Sequence, residues 1–307
     1  MQYSRRQIIK QLFTSFIGST LIPQSIFSMD DYTKKYIDNI GLQLWTVRNE
    51  LLKDEPKTLK SISDFGYQQL EGMNLPQVMS IKDQANDVDL EIRSTFFQWT
   101  YLTNNWELAN TRGIQKIKGV SDVESLVELS HKLGLKNLTF GYLFPEERSV
   151  EDYKKWVDAL HKMGEMCQQA DITLSYHNHA FEFKGDQGTT PFQVLVDQLD
   201  PKLVKFELDV FWVKAAGLDP LKMMQQLDGR ISHLHLKELK NTNYIQFDDQ
   251  TMPHEQFVAL GEGIIEFQSI LKEASRQNIK SCFVEQDHAE APLESIQKSI
   301  NFLREIT

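Results

Sequence analysis

From Asn39 onward the chain alternates two kinds of segment. Short runs rich in β-branched and aromatic residues read "IGLQLWT", "QQLEGM", "LEIRSTFF", "KNLTFGYL", "ITLSYHNH", "VKFELDVFW", "ISHLHLKE" and "KSCFVEQD". Between most of them lie segments such as "SDVESLVELSHKLG", "SVEDYKKWVDALHKMGEMCQQA" and "PLESIQKSINFLREI", whose apolar residues recur at helical spacing. Ser121 with Glu124 predicts a capping-box start for the first of these helices, and Gly134 its stop. Eight strand-like runs alternating with helices predict parallel strands joined by right-handed crossovers. That count suits a closed (β/α)8 barrel, a TIM barrel, forming a single α/β domain over residues 39–307. An open doubly wound sheet is the second architecture, but no G-x-G-x-x-G follows the first strand. The one long excursion, "QWTYLTNNWELANTRGIQKIKG", follows the third strand and is expected over the functional mouth.

The apolar runs end in groups that are costly to bury. In a (β/α)8 barrel the C-terminal strand ends face the active site, and residues two apart on a strand project to one side. Strand five ends with His177 and His179, strand six carries Glu207 and Asp209, strand seven carries His233, His235 and Lys237, and strand eight ends with Glu285 and Asp287. Five of the eight histidines, counting His288, fall in these stretches, which makes a chance gathering a poor explanation. Singly, each group has a plainer reading: a hydrogen-bonded structural histidine, a carboxylate capping a helix or pinning a loop, a lysine reaching solvent. Together, imidazoles and carboxylates on neighbouring strands form the mixed N/O set that suits a divalent transition metal.

Composition narrows the partners. A chain of 307 residues, 41% hydrophobic, can bury a full core, and its formal charge of −10 without a basic tract argues against a nucleic-acid partner. Cys167 and Cys282 fall in a helix-like and a strand-like context, so neither a disulfide framework nor a CxxC metal site is expected. Residues 1–28 differ in kind. "SRRQIIKQLFTSFIGSTLIPQSIFS" sets Arg5 and Arg6 before an apolar run that is too short for a membrane span, which needs about 20 residues. The stretch resembles a twin-arginine export signal, so a periplasmic location is expected. Ile26 and Ser28 make a poor cleavage site, which leaves an uncleaved anchor as one alternative and an amphipathic leading helix as another.

"IGLQLWTVRNEL", "YHNHAFEF", "LDVFWVKAAGLDP", "HLHLKE", "GEGIIEF" and "FVEQD" together resemble the sugar phosphate isomerase/epimerase family of xylose-isomerase-like TIM barrels, over roughly residues 39 to 305. The resemblance implies one divalent metal at the barrel mouth, held from strands five to eight, usually by Glu, Asp, His and Glu. Matched by motif, those positions are His177, Asp209, His235 and Glu285. The half-nitrogen set favours Mn, Zn, Co or Fe over Ca. One position departs: where the epimerases place a glutamate that is also one of two opposed bases, this chain has His177. The second acid/base group is then open, with His179 and Glu182 as candidates.

The implied chemistry is enolisation of a carbohydrate ketone. Glu285 removes the proton next to a polarised carbonyl, giving an enediolate. Returning the proton elsewhere makes an isomerase or epimerase, the first expectation. Expelling a β-substituent makes a lyase or dehydratase acting on a keto-glycoside or keto-cyclitol, the alternative. His233 and Lys237 are candidate ligands for substrate hydroxyls, and Trp45 and Trp212 candidate faces for a sugar ring. A non-catalytic carbohydrate-binding barrel is a further alternative. A metal-dependent hydrolase fits less well, because "GLQLWT" offers no early H-x-H. Replacing Arg5 and Arg6 together by Lys is expected to block export; unchanged periplasmic recovery on fractionation would remove that reading.

Overall fold

The computed structural model describes residues 34–185, 188–241 and 245–307, so the export-signal segment at residues 1–28 lies outside the described residues. The barrel strands are β1 (Gly41–Gln43), β2 (Gln69–Gly72), β3 (Glu91–Phe96), β4 (Asn137–Phe140), β5 (Thr173–His177), β6 (Val204–Asp209) and β7 (Ile231–Leu236), closed by the eighth, β10 (Ser281–Val284). Every neighbouring pair runs parallel, and β1 joins both β2 and β10, so the sheet has no edge. A two-stranded antiparallel ribbon, β8 (Glu238–Leu239) with β9 (Phe257–Val258), follows β7. Among the described residues no helix is long and apolar enough to cross a membrane.

Strand period explains the two faces. Leu174 and Tyr176 on β5, Phe206 and Leu208 on β6, and Leu234 and Leu236 on β7 alternate with Ser175, His177, Glu207, Asp209, His233 and His235. The apolar set belongs to the core shared with the surrounding helices. Barrel interiors are ordinarily filled by Val, Ile and Leu. Here they hold ionisable groups, with Phe96 and Phe283 lying against the histidine rings. Register stacks them in order: His177 opposes Glu207, Glu207 opposes His233, and Asp209 opposes His235.

Local structure corrects the expectations in two places. The run "IGLQLWT" leaves the strand after Gln43, because the Gln43 side chain accepts the Trp45 N–H at 2.7 Å and turns Leu44–Val47 into a 3-10 segment. The predicted cap at Ser121 is replaced by Asp122, whose carboxylate accepts the Ser125 N–H while Ser125 bonds back, starting the helix at Val123. Gly134 follows that helix at φ +75°, as a stop requires. The excursion after β3 forms short helices at Thr100–Thr103 and Trp106–Thr111, tied to the loop after β4 by Trp99 and Asn105 donating to Glu147. Cys167 and Cys282 are free and buried.

The helix Val150–Gln169 buries Val150, Tyr153, Val157, Leu160, Met163, Gly164 and Cys167, a stripe at three- and four-residue spacing. Gly164 permits its closest approach, since a Cβ there would lie 2.8 Å from the Leu203 carbonyl oxygen. Gly164→Ala would gain about 1 kcal/mol in helix propensity but incur an overpacking cost of about 1–3 kcal/mol against backbone. A net loss is expected, seen as a lower urea midpoint at unchanged slope; an equal or higher midpoint would refute the close packing.

Candidate active site

The polar groups at the strand ends form two connected layers. At the mouth, Lys237 Nζ lies 2.7 Å from Glu285 Oε2, 2.9 Å from Asp287 Oδ1 and 3.1 Å from Asp209 Oδ2. His235 Nδ1 is 2.9 Å from the same Glu285 oxygen. His177 Nε2 faces Asp209 Oδ2 at 3.9 Å. Beneath them, Glu207 accepts from Thr139 Oγ1, His177 Nδ1 and His233, and its Oε1 lies 2.7 Å from His235 Nε2. Glu71, at the end of β2, meets His235 Nε2 at 2.6 Å and the Gln43 amide at 3.3 Å.

Burial sets the electrostatics. It disfavours the Lys237 ammonium, but Asp209, Asp287 and Glu285 outweigh it and hold the group well above its ordinary value. Burial likewise opposes ionisation of Glu285, and Lys237 and His235 override it, keeping the carboxyl well below the usual range. Asp287, 17% exposed, is lifted by burial to about 6 against the pull of Lys237. In the lower layer the Glu207 carboxylate, resisted by burial, is held low by His235 and His233, while His233, despite burial, is raised to about 9 by Glu207. His179 is driven well below its ordinary value by burial and then by His177, so its ring is neutral.

The residues fit a divalent metal. Donor atoms of His177, Asp209 and His235 lie within 4.8 Å of one another, and Glu285 joins them through His235. Asp209 Oδ2, fully buried, has no hydrogen-bond partner among the described residues, since Lys237 at 3.1 Å lacks the angle. A buried anionic oxygen without a hydrogen bond is costly and marks a place for a cation. A second group, Glu71, Glu207 and His233, is equally close. There Glu71 Oε1 also lacks a hydrogen bond among the described residues, but it lies 3.6 Å from His233 Nε2 and the Glu207 oxygens are taken by imidazole and hydroxyl donors, so the group reads as support for the upper layer.

A family model described as "Xylose isomerase-like TIM barrel" matches residues 59–306. The chain belongs to that family. Inosose dehydratase 2 of Bacillus cereus is 30% identical over 165 residues, 50% of this chain and 55% of that protein. The chain thus spans about half the length of the curated relatives it matches. A crystal structure of a sugar phosphate isomerase/epimerase from Parabacteroides distasonis superposes with a TM-score of 0.68 at 22% identity, covering 86% of this chain and 93% of that one. The IOLI protein, solved with a bound zinc atom, gives 0.61 at 16% identity, covering 87% and 97%. These two likenesses establish the fold.

Within this family frame, the structure brings together the four residues matched as metal ligands, with Lys237 beside them. It moves His233 out of the predicted substrate-binding set: its ring sits one layer down, bonded to Ser232 and Glu207. Glu182 is corrected too. Its carboxylate accepts the Tyr176 hydroxyl and the His179 N–H, both at 2.9 Å, and Tyr176 pairs with Tyr153 on the outer side of β5. That is the loop-pinning reading, away from the mouth. His179 stays beside His177, stacked on Phe181, with its buried Nδ1 unpartnered among the described residues. Trp212 is buried 5.4 Å from His179 with its indole N–H also unpartnered among them, whereas Trp45 is 44% exposed under the Arg48 guanidinium. Sequence reasoning missed Glu71 and gave Glu207 and Asp287 no role; the only signal for Glu71 was a carboxylate inside a strand-like run.

Burial raises the Glu182 carboxyl to about 8 from its ordinary value of 4.5. The folded protein therefore keeps a proton that the unfolded chain releases, so this stabilisation is full below the unfolded value and is lost as pH rises through about 8. Glu182→Gln is expected to flatten the fall in stability between those limits by at least about 1 kcal/mol. Denaturant titrations at several pH values read it; an unchanged profile would reject the buried protonated acid.

Proposed function

We propose that the protein is a divalent-metal-dependent lyase that enolises a keto-sugar or related keto-polyol and expels a substituent β to the carbonyl. The observation that carries this reading is the one-sidedness of the acid/base groups. Lys237, Glu285 and Asp287 share hydrogen bonds or ion pairs at the ends of β7 and β10, while the β5 position holds His177, already engaged through Nδ1 with Glu207. Epimerisation at one carbon needs bases on opposite faces; elimination needs only one face. The likeness to inosose dehydratases over half the chain supports the same choice. Both favour elimination over the isomerase or epimerase chemistry expected first from sequence.

His177, Asp209, His235 and Glu285 would hold the metal. A divalent ion there supplies Lewis acidity to the substrate carbonyl, which acidifies the neighbouring C–H. Glu285, ionised because Lys237 and His235 favour its charge, takes that proton as the C–H bond breaks. Neutralising Glu285 removes one of the charges holding the Lys237 proton. Lys237 then donates to the departing oxygen as the C–O bond breaks and the carbon–carbon double bond forms. With 2.7 Å between Nζ and Oε2, Glu285 can return its proton to Lys237 and restore both groups. The neutral His179 and the Trp212 N–H offer hydrogen bonds to substrate oxygens.

The second reading is 1,2-isomerisation, since the same Glu285 can return its proton to the adjacent carbon on the same face. A panel of keto-sugars, keto-glycosides and keto-cyclitols in deuterated water separates the two. Elimination releases the substituent with a proton and leaves a product lighter by both; isomerisation gives a product of substrate mass apart from exchanged deuterium, which would overturn the lyase assignment. Glu285→Gln is expected to lose both deuterium exchange and elimination. Lys237→Met should keep exchange while slowing elimination about 10²–10⁴-fold. Exchange at the wild-type rate in metal-loaded Glu285→Gln would remove Glu285 as the base.

A further inference from the structure

Both imidazoles matched as metal ligands have a carboxylate behind them. Glu207 Oε1 accepts from His177 Nδ1 at 2.9 Å. Glu71 Oε2 accepts from His235 Nε2 at 2.6 Å, and Glu207 Oε1 lies 2.7 Å from that same nitrogen. An ionised carboxylate only accepts, so the ring nitrogen that faces it must carry hydrogen whatever the charge of the ring. The opposite nitrogen of each ring faces a proposed metal ligand instead, so a hydrogen there, which the same rule requires on His235 Nδ1 at 2.9 Å from Glu285, is the one that an ion taking that carboxylate would displace. These opposite nitrogens are different atoms on the two rings: Nε2 of His177, directed at Asp209, and Nδ1 of His235, directed at Glu285.

We propose that Glu207 and Glu71 are positioning residues that fix the two histidines in opposite tautomers, so that His177 Nε2 and His235 Nδ1 converge with Asp209 and Glu285 on one ion. This deepens the function proposed above and rests on its metal-site reading. The carboxylates are themselves held. Gln43 is oriented by the Trp45 N–H on its oxygen and so turns its amide N–H to Glu71, while Thr139 donates to Glu207 Oε2 at 2.7 Å. All of these side chains are buried, so water does not compete for either carboxylate. The arrangement also accounts for the β5 position. With histidine there, a negative charge lies one residue layer away on β6, where it orients the ring and offsets the metal's charge through it.

The test uses the full chain with zinc as the probe. In 15N-histidine NMR of the zinc-loaded protein, His177 should be coordinated through Nε2 with Nδ1 protonated, and His235 through Nδ1 with Nε2 protonated. Glu207→Gln should weaken zinc binding about 10–100-fold in chelator competition and disturb the His177 pattern, and Glu71→Gln should do the same for His235. A merely structural role would lower the unfolding temperature and leave the nitrogen assignments in place. Coordination of both rings through the same nitrogen type, or wild-type zinc affinity in both variants, would overturn the proposal. Should a variant fail to fold, the wild-type spectrum decides alone. Zinc bound as described with no elimination from any substrate would reject the lyase assignment and leave this inference standing; no zinc bound by the wild type would reject both.

Discussion

An ionised carboxylate taken out of water costs several kcal/mol unless cations or N–H groups replace its hydration, and the barrel interior is organised around that constraint. Glu71, Glu207, Asp209 and Glu285 are all nearly or fully buried. Each is answered by a cation or donor: His235 across the barrel for Glu71, three histidines on the flanking strands for Glu207, and Lys237 for Asp209 and Glu285. Removing one partner would leave the other as an uncompensated buried charge, at about 3–5 kcal/mol. The polar layers are therefore a structural commitment as well as a chemical one.

The two layers divide the work. The upper one, at the strand ends, contains a carboxylate–ammonium pair tuned in opposite directions, Glu285 kept ionised and Lys237 kept protonated. Such a pair can take a proton and give one back across a single contact. The lower layer is bonded within itself and to the imidazoles above it. Its carboxylates each face one nitrogen of an imidazole above, Glu207 the Nδ1 of His177 and Glu71 the Nε2 of His235. Closure of the sheet makes this coupling rigid, because Glu71 on β2 reaches His235 on β7 only across a barrel filled by side chains.

Much of the fold is legible in the chain. Strand period and helical period survive any arrangement of neighbours, so eight alternating units, the stop at Gly134 and the residues at the strand ends could be read one segment at a time. Asp209, His235, Lys237 and Glu285 were visible for the same reason: each ends an apolar run at a spacing that sends it to the mouth. Glu182 misled because the chain turns after His179, and a residue past a turn no longer obeys the strand's alternation.

What the sequence by itself determined was therefore local: which residues lie on which strand, on which face and near which end. Partnership was decided by tertiary structure. Glu71 lies 164 residues before His235, and no periodicity reports that β2 and β7 face each other across a closed sheet. The same holds for His233, which shares a strand and a face with His235 but sits one layer lower, where it donates to Glu207. Alternation gives direction, whereas depth and pairing follow from strand register around the barrel, a relation between distant segments that exists only once the sheet has closed.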